Sequence, residues 1–379
     1  MKWMIHLIVL AGLLAGILPG AAISGSPEAG PMEVRAAWVT RWAFKSPEDV
    51  AGILGDLHAL GINTVFFQVR GACDVLYDSP YEPWSRLLTG EFGKDPGWDP
   101  LAVAIEEARK RKMELHAWIN VFPAWPVTDT EVLPPRTEPL HVYHAHREWL
   151  ARDVTGAPMS RKKGESRFAY VFLSPSNEEV QAYLEKIVTD LVGRYQVDGL
   201  HLDYIRYPDS TYSYDPDSRA LYRMQLMEAG ITEEDYPYSD WRRQNLTDFV
   251  GRLGAAARKA RSGVTVSAAV WQRIDAGKNE YFQDGVEWVK QGHVDFVAPM
   301  IYTTSADLFE KRLASYVDLV GAGKVLAGLG PYLEGFTDSL VAEELSITAG
   351  KQALGFSIFN SDYAVKYADV IRPYSDASR

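Results

Sequence analysis

Eight short apolar runs recur along the chain, at 34–40, 63–69, 114–121, 197–203, 264–270, 294–301, 324–329 and 353–358. Most are near-continuously hydrophobic and rich in Val, Ile, Leu or Phe, as strands buried on both faces are. Helical patterns fill the gaps, at 47–60, 100–112, 177–195, 238–262, 306–320 and 338–349. The first is typical: Ser46 stands where an N-cap belongs, Pro47 opens the helix and Gly61 closes it. Eightfold strand–helix alternation predicts parallel strands joined by right-handed crossovers. An open doubly wound sheet is the rival arrangement. The count of eight, with no glycine-rich phosphate loop after the first run, favours a closed (β/α)8 TIM barrel.

The spacing is uneven. The last four runs follow at about 30 residues, the compact βα repeat. Long insertions follow strands 2, 3 and 4, at 71–98, 122–176 and 204–237. All three are βα loops, which a barrel places on its catalytic face. They carry Trp84, Trp98, Trp125, Tyr143, Trp149, Tyr204, Tyr207, Tyr212, Tyr214 and Tyr236. Flat rings suit the C–H faces of sugars, although most of these rings are expected to pack the loops and two or three suffice for a cleft.

Strand alternation then selects polar candidates. In the fourth run, Gly199, His201 and Asp203 share the inward face, and Asp203 ends the strand at the loop-lined mouth. The same parity pairs Gln68 with Arg70 in the second run, and aligns His116, Trp118 and Asn120 in the third. An arginine beside Asp203 is expected to hold it ionised, as a nucleophile or base requires. Glycoside cleavage needs a second carboxyl. Asp284 ranks first, ahead of Asp74, Asp275 and Glu280, with a helix N-cap as the competing role for Asp284. His201 and His116 fit hydrogen bonding within the barrel as well as they fit a site.

Composition narrows the classes. The chain has 379 residues, 47% of them hydrophobic, and a net charge of −11, so a nucleic-acid backbone binder is disfavoured. One cysteine, Cys73, rules out an intramolecular disulfide and a multi-cysteine metal site. His141, His144 and His146 lack a carboxylate at a ligand spacing and read as a solvated loop, so neither metal nor cofactor is expected. Residues 1–24 read as a secretory signal peptide, with an uncleaved anchor as the alternative; 25–32 read as a linker and 33–375 as one domain. Past the leader, no stretch is apolar enough to span a bilayer. The mature chain is expected to be exported and monomeric.

The chain resembles the glycosyl hydrolase-like 10 family. The resemblance rests on VRAAWVT (34–40), NTVFFQVR (63–70) with DVLY (74–77), LHAWIN (115–120), DGLHLDYIRYP (198–208) and DFVAPMIY (295–302). It implies an exported (β/α)8 barrel acting on polysaccharide, with cell-wall (peptidoglycan) glycan as the favoured class. It also implies that Asp203 is the strand-four acid and that Arg70, Asp74, His116, Asn120, His201, Arg206 and Tyr302 line the mouth. Asp284 matches a family Asp usually followed by Trp; here Gly285 follows. Strand four also looks like the chitinase pattern, but His201 and Ile205 replace two of its acids, which disfavours that mechanism. The expected activity is therefore glycoside hydrolysis by paired carboxylates, Asp203 attacking or activating water and Asp284 protonating the leaving oxygen. The alternative is a glycan-binding barrel without turnover.

Overall fold

A computed structural model describes residues 32–130 and 132–374. The leader, the linker apart from Met32, and the last residue of the expected domain lie outside the described residues. Eight parallel strands close into a barrel: β1 (Val34–Val39), β2 (Thr64–Arg70), β3 (Glu114–Asn120), β4 (Gly199–Asp203), β5 (Thr265–Trp271), β6 (Phe296–Met300), β7 (Leu326–Leu329) and β8 (Gly355–Phe359). Sequence order equals spatial order, and β8 pairs with β1 to close the ring. The fold is a (β/α)8 TIM barrel, as the alternation predicts.

Local chemistry starts the helices where the pattern does. Ser46 and Asp49 form a reciprocal capping box ahead of Pro47–Ala59. Asp99 caps Pro100–Lys110 and Asn177 caps Glu178–Arg194. Among the described residues no helix is long and apolar enough to cross a membrane.

Inward side chains fill the barrel in layers. Near the bottom is His116, paired in register with Gly199. A Cβ on Gly199 would lie 2.3 Å from His116 Nδ1, so this glycine makes room for the imidazole. Gly199→Ala is expected to destabilise the protein by about 1–3 kcal/mol through overpacking, read as a lowered urea midpoint at unchanged slope. Above it, His201 stacks on Phe66 at 4.0 Å between ring centres. Trp38 Nε1–H donates to His201 Nε2 at 3.1 Å, so the other ring nitrogen carries the proton toward Ser267 Oγ, 2.9 Å away. Burial, with His116 nearby, holds His201 well below the usual histidine range, so it stays neutral.

The long loops build the upper face. An antiparallel ribbon, Pro123–Pro126 with Tyr170–Phe172, rises from the loop after β3. Below, Asp198 and Asp295 accept from Leu115 N and Val266 N at the strand entrances, a structural use of carboxylates at the stable end.

Candidate active site

Asp203 ends β4 and is 8% exposed. Its carboxylate accepts from Trp118 Nε1 at 3.2 Å and from Tyr204 N at 2.6 Å. It opens into a cavity of about 450 Å³ at the barrel mouth. Trp38, Trp118, Trp271, Met300 and Phe359 come from the strands; Tyr204, Tyr302 and Tyr332 come from the loops. Gln68, Asn120, Arg206 and Gln272 join Asp203 in the polar lining, with Gln68 Nε2 donating to Asn120 Oδ1 at 3.3 Å. Asp203 is the one carboxyl among the described residues lining this cavity.

The electrostatics differ from the expected arrangement. Burial pushes Asp203 up to about 6, against the lowering pull of Tyr204 N–H, Arg206 and Trp118. Arg206 lies among rings, 4.9 Å from the Tyr204 centroid and 5.0 Å from that of Tyr281. A desolvated carboxyl in an apolar pocket is the environment of a proton donor.

Arg70 does not approach Asp203. A β-bulge between Gln68 and Arg70 puts Gln68 opposite Trp118 but Arg70 opposite Ile119, so the inward parity ends at Gln68. The fully buried Arg70 instead pairs with Glu82 at 2.7 Å and donates to the carbonyls of Asn120 and Val121. His116 and His201 also lie outside the cavity lining, beneath its floor, for the layering reason above. Asn120, Arg206 and Tyr302 do line it.

Asp284 is absent from the lining too. It caps the short helix Gly285–Lys290 through Glu287 N and pairs with Lys278 at 2.8 Å. Gly285 packs toward Val270 and Val297, so this segment sits on the helix side of the sheet. The structure gives Asp284 the capping role, and among the described residues no other carboxyl joins Asp203 in the lining of its cavity. Asp275 pairs with Arg273 at the surface.

Asp74 lines a neighbouring cavity of about 370 Å³. Burial raises its carboxyl, but Arg41, 3.4 Å away, and the Ala72 N–H outweigh this and hold it below the usual range. Of the histidine trio, His141 is buried rather than solvated and bonds Ala72 O, while His146 stacks on Trp149. Among the described residues no group of three or more His, Cys, Asp or Glu is arranged to hold a metal.

Several further residues line the cavity that strand alternation and motif do not single out. Trp42 and Tyr332 follow β1 and β7, and Tyr170 lies inside the third strand's long loop. Their signal was position: each lies beyond the C-terminal end of a barrel strand, the face that holds such sites.

An aromatic cleft over the C-terminal ends of a (β/α)8 barrel, with a carboxyl at the end of strand four, defines a glycoside-hydrolase-like barrel. The chain belongs to the glycosyl hydrolase-like 10 family, whose model matches residues 33–319. It is 34% identical over 268 residues to glycosyl hydrolase DigH of Escherichia coli (strain K12), covering 66% of this chain and 56% of that protein. It is 27% identical over 300 residues to glycosyl hydrolase YngK of Bacillus subtilis (strain 168), covering 71% and 54%. The chain thus spans a little over half the length of these relatives. Among solved structures, the PgaB (BpsB) glycoside hydrolase domain from Bordetella bronchiseptica superposes with a TM-score of 0.67 at 14% identity, covering 92% of this chain and 100% of that one. That likeness concerns the fold.

Proposed function

We propose that this protein is an exported hydrolase of O-glycosidic bonds in a polysaccharide, with cell-wall glycan as substrate and Asp203 as the group that moves the proton. The observation that carries this is Asp203 itself: a carboxyl raised to about 6, open to an aromatic, sugar-sized cavity at the end of β4. The protonated carboxyl donates to the glycosidic oxygen as the bond to the anomeric carbon breaks. Water adds to that carbon and returns a proton to the carboxylate. The π faces of the surrounding rings favour the positive charge that develops between the two events.

The sign of the pH dependence follows. The donor is competent while protonated, so kcat/KM is expected to fall tenfold per pH unit above about 6. A rate that instead climbs through that value would make Asp203 a base or nucleophile. The direct test incubates purified sacculi and stem-peptide-free glycan strands with the protein, followed by mass spectrometry of soluble products.

One observation favours a second reading. Among the described residues Asp203 is the one carboxyl in its cavity lining, whereas glycosidases commonly use two. A barrel that binds glycan without turnover would retain strands and release nothing.

A further inference from the structure

We propose that the neighbouring cavity is a second carbohydrate subsite, holding the continuation of the same glycan chain whose scissile bond lies at Asp203. This rests on the glycan reading above. The two cavities share Trp42 and Tyr170 in their linings, so they are consecutive stretches of one trough. Each is within the roughly 300–1,000 Å³ typical of a single ligand pocket, so together they take a longer chain than the first alone.

The shared rings are held in place. Trp42 is 55% exposed, so core packing does not account for this indole. The Arg41 guanidinium lies 4.8 Å from its ring centre, and Arg41 Nη2 donates to the Tyr170 hydroxyl at 3.2 Å. Rings fixed in this way at the boundary are stacking platforms for a sugar passing from one cavity to the next. Trp125 and Phe92 extend the aromatic surface.

Two polar atoms in the wall of this cavity are left unsatisfied among the described residues. Arg41 is 5% exposed, yet its Nε–H has no hydrogen-bond partner among the described residues. Thr128 Oγ1 is likewise buried and unpartnered. Such groups carry a desolvation cost within the wall of this cavity. Arg41 and Asp74 neutralise each other, while Arg86, also in the lining, has no ion-pair partner among the described residues. The lining therefore favours a neutral or acidic sugar over one with a free amine.

The test uses the full chain and stem-peptide-free cell-wall glycan strands sorted into short and long fractions. Ala169→Trp and Thr130→Trp place bulk at exposed positions in the second cavity's lining, away from Asp203. Remote binding contributes to kcat/KM. Each variant is expected to lose about tenfold in kcat/KM on long strands, yet stay within about twofold of wild type on the shortest strand cleaved. Unchanged rates on long strands overturn the subsite. So does equal loss at every length, which would mean that the added ring disturbs the first cavity. If wild type binds strands without cleaving them, hydrolysis falls and calorimetry makes the same comparison. Weaker long-strand binding in both variants then supports the subsite, and unaltered binding removes it. Strands that neither bind nor react sink both readings.

Discussion

Asp203→Asn is expected to lower kcat/KM on glycan strands by about 10²–10⁴, the usual contribution of a positioned proton donor. The amide keeps the size of the side chain and loses the proton. It also removes a charge that the fold opposes, which gives the variant a second, independent signature. The wild-type carboxyl titrates at about 6 in the folded protein, against an ordinary 3.8. Between those values the folded state binds more protons than the unfolded state, so stability falls as pH rises. Asparagine does not titrate. Its stability relative to wild type is therefore expected to improve by on the order of 2–3 kcal/mol between about pH 4 and pH 7. One oxygen that accepted from Trp118 or Tyr204 becomes an NH₂ group, which shifts the whole difference by a constant and leaves the slope intact. Wild-type activity retained by the variant would remove Asp203 from the chemistry. A flat stability difference across that pH range would show the carboxyl to be solvated rather than buried.

A raised carboxyl does not by itself mark a site. Burial pushes Glu344, on the helix Asp338–Gly350, up to about 9, further than Asp203. Yet Glu344 lines neither cavity. The cavity and the end of β4 give Asp203 its standing; the shift only sets which protonation state it uses.

The barrel was legible because burial on both faces leaves a continuous apolar mark on each strand. Asp203 was legible because strand alternation and strand end are both properties of the chain. The same alternation misplaced Arg70, since a bulge adds one residue to the ladder and turns every later side chain over. It grouped His116 with Asn120 correctly on one face, but their height along the strand separates floor from mouth. Asp284 shows a different difficulty. A carboxyl ahead of a short helix caps it or faces a cleft according to which side of the sheet the helix takes. Only the packing of Gly285 against Val270 and Val297 decides that.

Arg70 carries the other large effect, on folding rather than chemistry. Its side chain is fully buried and paired with Glu82, which also accepts from the Tyr183 hydroxyl at 3.0 Å. Arg70 further bonds the carbonyls of Asn120 and Val121 and Cys73 Sγ. It thereby ties the loop after β2 to the end of β3, next to Asn120 in the cavity wall. Removing one partner of a buried ion pair strands the other, which typically costs 3–5 kcal/mol. Arg70→Ala and Glu82→Ala are each expected to destabilise by about that amount in urea unfolding. Replacing both by apolar residues of similar volume, Arg70→Met with Glu82→Leu, is expected to recover about half or more of the loss, because no uncompensated charge remains. Folded Arg70→Met/Glu82→Leu protein is then expected to keep the wild-type pH profile, since neither residue reaches Asp203. A profile displaced by this pair would instead place Arg70 in electrostatic contact with the Asp203 carboxyl, as strand parity alone implies.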